Sequence, residues 1–471
     1  MGEGRLMASL PIPILSGIYT DAGNDYRVSY PVNLQPVAAD TGIGDSYLRP
    51  CDGITALTTG PGDDRGGIQW KGDHYRVMGE YLCHITSFGM VSMVGNVGPG
   101  TRCTFDYSFD RLGITAGGNL YYWDKTTFTQ VSDPDVGNVL DHIWIDGYFL
   151  FTDGEFLIVT ELNDPESINP LKYGSSEVDP DPVKAVLKVR NEPYAVNRYT
   201  IEVYENTGGS GFPFQRISGG QITKGAIGTH AACVWNEAIA FVGGGRNEAV
   251  SVYLGANAQA TKIATAEVDR VINGYTESQL SDVIVEARVD RDANLLLVHL
   301  PHETLCYDSI ASQALQRPIW HVLTSGDHYR ARNLVRCHDR WYVGDTLTAR
   351  VGYLDEATGL HWGDVVPWEF GTAVLYNGGP SAIIHRLELM GLTGRAPLGA
   401  DPLVSTSYSH DGLTWSQDKT TAAGKQGERN ARLCWLRQGL VRRWRVQRFR
   451  GTSDARVTVS RLDAEVESLN V

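Results

Sequence analysis

Between residues 146 and 158 the chain reads Asp-Gly-Tyr-Phe-Leu-Phe-Thr-Asp-Gly-Glu-Phe-Leu-Ile. Apolar runs are separated by Asp-Gly pairs. A tight primed turn needs positive φ, which Gly supplies and Asp tolerates, so the stretch predicts a β-hairpin. The pattern recurs, with copies opening at Asp73, Asp110, Asp146, Asn191, Asn236, Asp292 and Asp339. Each runs through four to seven strand-like residues, a polar or Gly break, and a second strand that usually ends in an aromatic. The intervals are 37, 36, 45, 45, 56 and 47 residues. A period of ~40–50 residues marks propeller blades, each of four strands. The fold expected is therefore all-β, with a β-propeller of about seven blades over residues 46–356.

After residue 357 the texture changes. Strand-like runs lengthen, over 382–390, 403–409, 439–449 and 456–461. Apolar and polar positions alternate clearly in 384–389 and 441–449, as in strands with one wet face. Residues 357–471 are expected to form a C-terminal β-sandwich. Residues 1–45 are rich in Gly, Pro and Asp and read as an extended N-terminal arm, with 30–34 its strand-like piece. Two readings of that arm stand: packing on another domain or subunit, or a partly ordered terminus. The clearest helical segment is the short 278–284, behind Thr276 as a cap.

Two segments interrupt the repeats, 160–183 and 206–228. Both read as long surface loops, where partner contacts concentrate. Asn163 and Asp164 in the first, and Phe212 and Phe214 in the second, are contact candidates.

Composition supports the all-β reading. The 471 residues include 52 Gly, 22 Tyr, 11 Trp and 12 Phe, a profile that suits tight turns and strands. The formal charge of −14 is unevenly placed. Residues 381–471 hold 14 Lys and Arg against 9 Asp and Glu, a balance of +5 that leaves the rest near −19. An acidic body argues against nucleic-acid wrapping, which needs basic side chains to displace counterions. The seven cysteines, at least 20 residues apart in pairs, form no Cys-x-x-Cys and read as reduced core residues. No run approaches the ~20 apolar residues of a membrane span. Residues 10–15 carry two prolines and lack a basic leader, so no export signal is expected.

Candidate chemistry is thin. Residues 409–415, Ser-His-Asp-Gly-Leu-Thr-Trp, resemble the Asp-box turn of sialidases but occur once and one residue short. They read as a hairpin turn with Trp415 behind it. The run Gly243-Gly244-Gly245-Arg246 lacks the Lys-Ser/Thr ending and helix start of a phosphate loop. Asp63, Asp64, Asp179 and Asp181 could supply a glycosidase pair, which needs a ~5–10 Å separation across a cleft. The expected reading is solvated loop charges. The 12 His show no metal-ligand spacing. No catalytic, cofactor or metal site is expected. Arg437, Arg442, Arg443, Arg445 and Arg448 crowd one stretch with Trp444 and Phe449 interleaved. Arginines fall on both faces of a strand there. That suits a contact surface for protein or DNA, against the alternative of an ordinary solvated strand.

Several short stretches in order resemble one family. They are Tyr30-Pro31-Val32-Asn33 with Tyr47-Leu48-Arg49, then Val91-Ser92-Met93, then the run 160–167. Phe212-Pro213-Phe214-Gln215-Arg216-Ile217 leading to Lys224-Gly225 follows. Asn273-Gly274-Tyr275-Thr276, His299-Leu300-Pro301 and Asp411-Gly412 complete the set. Together they resemble the packaged-DNA stabilisation protein, or tail hub (tail accessory factor), of short-tailed bacteriophages. The resemblance implies a structural virion protein made in the host cytoplasm, with no enzymatic activity and no cofactor. It implies a homo-oligomer, a ring of six, below the portal and head-to-tail adaptor. Such a ring closes the DNA channel, retains the genome, and seats a tailspike or fibre and a needle or plug. DNA would pass without sequence-specific binding, and an acidic wall would favour that. The alternative is a propeller-type receptor-binding tail protein that binds or cleaves glycans.

Overall fold

The computed structural model describes residues 8–14, 17, 30–39, 44, 46–176, 178–290, 292–376 and 380–469. Seven sheets, each of four or five antiparallel strands, form a propeller. Blade 1 is Asp64–Trp70, Asp73–Met78, Tyr81–Ile85 and Val91–Asn96. Blade 2 is Thr104–Tyr107, Leu112–Ala116, Asn119–Trp123 and Phe128–Gln130. Blade 3 is Asp141–Ile145, Tyr148–Thr152, Phe156–Glu161 and Asp164–Ser175. Blade 4 is Val183–Val189, Glu192–Asn197, Ile201–Asn206 and Phe214–Ile222. Blade 5 splits its first strand into Gly225–Ala226 and Ala232–Trp235, before Ala238–Gly244, Ser251–Ala256 and Gln259–Lys262. Blade 6 is Ile284–Val289, Asn294–His299, Thr304–Asp308 and Trp320–Leu323. Blade 7 takes Ala331–Cys337, Arg340–Asp345 and Arg350–Asp355 from the end of the repeats and Gly53–Thr59 from before blade 1. That borrowed strand closes the ring.

Each Asp or Asn that opens a repeat lies at the junction of a blade's first and second strands. Asp146 and Gly147 there have φ of 49° and 88°, and Asn236 and Glu237 have 53° and 55°. Primed turns require these values. The turn residues also latch neighbouring blades. Asp146 accepts Nδ2–H bonds from Asn191 (2.9 Å) and Asn206 (2.9 Å) of blade 4, and Asp73 pairs with Lys125 of blade 2 at 2.7 Å.

The two segments expected as long loops are largely strand. Asp164–Ser175 is the outermost strand of blade 3, and Phe214–Ile222 that of blade 4. The strand carries Pro165 and Pro170, and an outer edge strand leaves backbone N–H groups unused and tolerates proline. The helix behind Thr276 spans Glu277–Ser281, with a reciprocal capping box to Gln279.

The sandwich has a six-stranded and a five-stranded sheet. The larger runs Leu34–Ala38, Ser46–Pro50, Thr458–Ser468, Ala382–Leu392 and Leu433–Val441, with Ala8–Ile12 paired to Thr458–Ser468. The smaller runs Pro367–Gly371, Trp444–Thr452, Leu403–Ser409 and Lys419–Ala422, with Leu375–Tyr376 also on Trp444–Thr452. Leu34, Leu48, Phe370, Leu387, Trp435 and Phe449 fill the space between. Among the described residues the first 50 thus give three strands to the sandwich; residues 1–7, 15–16, 18–29, 40–43 and 45 of the expected arm lie outside them. The run 439–449 is broken at Arg442-Arg443, where the chain passes from one sheet to the other.

Ring closure also rests on charge. Asp64, expected in a solvated loop, is buried. It accepts from Arg76 Nη1 at 2.7 Å and from Asn333 Nδ2 of blade 7 at 2.5 Å, and Arg76 Nη2 donates to Asn333 O at 2.8 Å. The side chains of Arg76 and Asp64 are 0% and 3% exposed. Removing one member strands the other's charge in a low-dielectric site. Arg76→Met is expected to destabilise the chain by about 3–5 kcal/mol in urea unfolding. A double Arg76→Met/Asp64→Leu variant should recover much of that loss.

Several buried imidazoles are held neutral. Burial pushes His142 and His361 down to about 4, His361 being further lowered by Arg330. The unfolded rings titrate near ~6.5, so the unfolded chain takes up protons first as pH falls. The stability these rings contribute is complete above ~6.5 and is lost as pH falls toward 4. Unfolding free energy should drop by about 1.4 kcal/mol per pH unit per ring across that window. Chemical denaturation at stepped pH should show the slope, and His142→Gln should make it shallower.

Candidate interaction surfaces

The segment Tyr30 to Leu34 lies between the two domains and bonds to both. Its backbone is extended, which Pro31 and the β-branched Val32 favour. Val32 N donates to Glu369 O (2.8 Å) and Glu369 N to Val32 O (3.2 Å), on the sandwich side. Asn33 N donates to Val322 O (2.8 Å) and Val322 N to Pro31 O (2.9 Å), on the outermost strand of blade 6. Asn33 then turns at φ 53°. Its Nδ2 donates to Thr324 O (2.9 Å) and Pro367 O (2.7 Å), and its Oδ1 accepts from Thr324 N (3.0 Å). One side-chain amide thus ties blade 6 to the sandwich. Around it, Gln35 Nε2 donates to the buried Asp308 at 3.1 Å, and Arg288 of blade 6 pairs with Asp52. Tyr30 donates its hydroxyl proton to Glu267, and burial with that bond raises its pKa.

Beside the seam is a cleft of about 640 Å³. Tyr30, Glu267, Tyr275 and Glu303 line it from one side, and Trp415 and Arg448 from the other. Trp415 ends the Asp-box-like turn. That turn is structural: Asp411 accepts from Leu413 N (2.8 Å), Thr414 N (2.7 Å) and Ser409 Oγ (2.8 Å), which hold its carboxyl well below the usual range.

The sequence-predicted contact residues separate into three groups. Asn163 and Asp164 are exposed at the tight turn of blade 3, Asn163 at φ 57° and bonded through its N–H to Gly147 O. Phe212 and Phe214 face inward. Phe214 is buried among blades 3 and 4, edge-on to Tyr148, and Phe212 lies over Gly174, where a Cβ would meet its ring at 2.4 Å. Their hydrophobic character serves packing, which a loop reading could not anticipate. The arginines also divide. Arg445 is fully buried, stacked over Tyr408 at 4.8 Å with Nη1 on Gln438 O, and burial lowers its pKa to about 10. Arg448 stacks on Trp415 at 3.9 Å and lies 3.7 Å from Glu369. Arg437, Arg442 and Arg443 are exposed. They flank the outer edge of the larger sheet, where Leu433–Val441 is a terminal strand with a bulge at Arg437 (φ 54°). Leu436 and Leu440 are exposed on the same strand. This open edge, basic and apolar, is the solvent-facing part of the predicted cluster.

Of the remaining acidic candidates, Asp63 is exposed, while Asp179 and Asp181 are engaged. Asp179 pairs with Arg246 at 2.7 Å, and Asp181 accepts from Tyr199 N at 2.5 Å. Among the described residues no group of His, Cys, Asp and Glu could hold a metal ion, and no helix is long and apolar enough to cross a membrane.

The seam gives a direct test. Asn33→Ala removes three side-chain bonds and leaves a Cβ-bearing residue without local hydrogen bonding at positive φ. It should cost about 2–4 kcal/mol by thermal or urea unfolding. Asn33→Gly, which relieves the backbone term, should cost about 1 kcal/mol less.

Comparison with known proteins is consistent over both domains. The family described as Bacteriophage P22 Gp10, beta-propeller, matches residues 10–359, and that described as Bacteriophage P22 Gp10, beta-sandwich, matches residues 367–467. The tail hub protein gp10 of Salmonella phage P22 is 26% identical over 482 residues, covering 97% of this chain and 99% of that protein. Solved structures align more distantly. The Neurospora crassa Pan2 WD40 domain gives a TM-score of 0.41 at 10% identity, over 64% of this chain and 94% of that one. The computationally designed Ika8 protein gives 0.40 at 9% identity, over 64% and 99%. With a propeller and a sandwich matched in order across nearly its whole length, the chain belongs to the bacteriophage P22 Gp10 family.

Proposed function

We propose that this chain is the tail hub of a short-tailed bacteriophage, a component of the virion tail that acts by assembly and not by catalysis. The observation that carries the reading is the end-to-end match, 97% of this chain and 99% of the relative, to a protein named a tail hub. In the finer form of the proposal, copies form a six-membered ring below the portal and head-to-tail adaptor. The ring closes the DNA channel, retains the packaged genome, and seats a tailspike or fibre and a needle or plug.

Three features of the molecule support this role. The propeller axis is crossed by an ion pair, Arg102 Nη2 to Glu286 Oε1 at 2.9 Å, so DNA would pass through the ring's opening and not through a propeller. Asp64 and Asp181 are bonded within the fold and Asp179 pairs with Arg246 at the surface, which favours structural roles for these carboxylates over a glycosidase pair. The sandwich offers an open strand edge with exposed Leu436, Leu440, Arg442 and Arg443, a surface that another sheet or an acidic partner can extend.

Size exclusion with light scattering, with and without a portal–adaptor complex of the same tail, tests the role. A ring of this chain formed on the complex is expected. A chain that never joins the complex, and instead binds or cleaves surface polysaccharide, would sink the reading. The edge is tested separately. Arg442→Glu with Arg443→Glu should lower incorporation into the complex by about tenfold or more while leaving the unfolding midpoint nearly unchanged.

A further inference from the structure

The outermost strand of a propeller blade has one unpaired edge, and proteins guard such edges with charge, proline, short length or a cover. Six blades of this chain do so. The outer strand of blade 2 is three residues long. That of blade 3 carries three charges and two prolines, and those of blades 4 and 5 carry Arg216 and Lys262. The outer strand of blade 6 is capped by Pro31 to Asn33, and that of blade 7 by the backbone of residues 358–362.

Blade 1 lacks all of these devices. Its outer strand, Val91–Asn96, has six residues, no charge and no proline, and among the described residues it pairs with Tyr81–Ile85 alone. Residues 81–101 hold no Asp, Glu, Lys or Arg, in a chain that is 20% charged. Phe88, Met90 and Met93 stand out from this strand and the turn before it, Phe88 being 92% exposed. The turn is ordered: Thr86 N donates to Met90 O at 3.0 Å, and Met90 N to Thr86 Oγ1 at 3.1 Å. Exposed apolar side chains beside a bare edge mark a surface that another strand covers. Carboxylates flank one end of it. Glu80 O accepts from Val97 N (2.8 Å), just past the strand, and Asp63 O from Gly79 N (2.7 Å). The side chains of Asp63 and Glu80 are exposed and, among the described residues, unpaired.

The complementary surface is on the same chain. The Leu433–Val441 edge of the sandwich exposes Leu436 and Leu440, with Arg437, Arg442 and Arg443 around them. Both edges offer apolar side chains, and their flanking charges are opposite. They lie on different domains, as a head-to-tail contact between copies requires.

We propose that the Val91–Asn96 edge of one copy pairs with the Leu433–Val441 edge of the next, continuing blade 1 into the neighbour's larger sandwich sheet. Phe88 and Met93 meet Leu436 and Leu440, and Arg442 and Arg443 reach Asp63 and Glu80. This contact rests on the ring reading above and supplies its lateral bond: one kind of head-to-tail contact, repeated, closes a ring.

Amide hydrogen exchange is compared between the free full-length chain and the chain assembled on the portal–adaptor complex. Amides of residues 91–96 and 433–441 should both slow by about tenfold or more on assembly. Charge reversal then tests the pairing. Asp63→Lys with Glu80→Lys should lower incorporation by about tenfold, and adding Arg442→Glu and Arg443→Glu to the same chain should restore most of it. Assembly that leaves exchange at either edge unchanged, or a quadruple variant no better than the double ones, overturns the proposal while the hub reading stands. A wild-type chain that never joins the complex overturns both. If the variants do not fold, exchange in the wild-type chain decides.

Discussion

One short segment, Pro31 to Leu34, ties the propeller to the sandwich. Its backbone donates to and accepts from blade 6 on one side and the sandwich on the other. Few arrangements let one strand serve two sheets at once, because each residue has only one N–H and one C=O. Here successive residues alternate: Val32 bonds to Glu369, while Pro31 and Asn33 bond to Val322. Neither domain can shift along the seam without breaking bonds to the other. Asn33 strengthens the constraint by reaching carbonyls on both sides with one amide.

The path of the chain makes that seam a point of common control. Ser46–Pro50 is a sandwich strand, and Gly53–Thr59, three residues later, is the strand that closes the propeller. The sandwich is then completed only after all seven blades, by Pro367–Gly371 onward. Each domain thus borrows strands from the opposite end of the chain. Loss of the N-terminal strands would open the sandwich sheet and, through Gly53–Thr59, the ring. The pairing of Asp52 with Arg288, a blade 6 side chain also held by Asp290, sits at this crossover.

How much of this was legible depended on which physical signal the sequence exposes. The repeats were readable because primed turns demand residues that accept positive φ, and Asp146-Gly147 and Asn236 supply them at a regular interval. The sandwich strand at Leu403–Ser409 was readable as a longer strand-like run and matches its expected bounds. Outer blade strands were not. Asp164–Ser175 is half wet, bulged and proline-bearing, so its apolar pattern is weak although its backbone is paired. Phe214 opens the outer strand of blade 4 and packs inward, with Phe212 beside it over Gly174, so an unrecognised strand hides the core behind it. The arginine cluster shows a different limit. Spacing placed Arg442, Arg443, Arg445 and Arg448 together, but only the three-dimensional fold shows that Arg445 is fully buried while Arg442 and Arg443 remain in water. The Tyr30-Pro31-Val32-Asn33 stretch carries part of the family resemblance, yet its role at the seam depends on residues some 290 to 335 positions away.

The uneven charge follows from these divisions of labour. Acidic side chains are spent largely on local order, as turn acceptors such as Asp146 in the propeller and Asp411 in the sandwich, or as partners of enclosed arginines such as Arg76 and Arg330. Such carboxylates are neutralised or bonded where they stand and add little to a long-range field. The arginines of the sandwich edge differ, because Arg437, Arg442 and Arg443 face solvent beside Leu436 and Leu440. An exposed strand edge invites pairing, and flanking it with arginine rather than lysine keeps planar donors ready for carboxylates. The same chain therefore separates two uses of charge: buried pairs that fix blade against blade, and an exposed basic edge that keeps its capacity for another molecule.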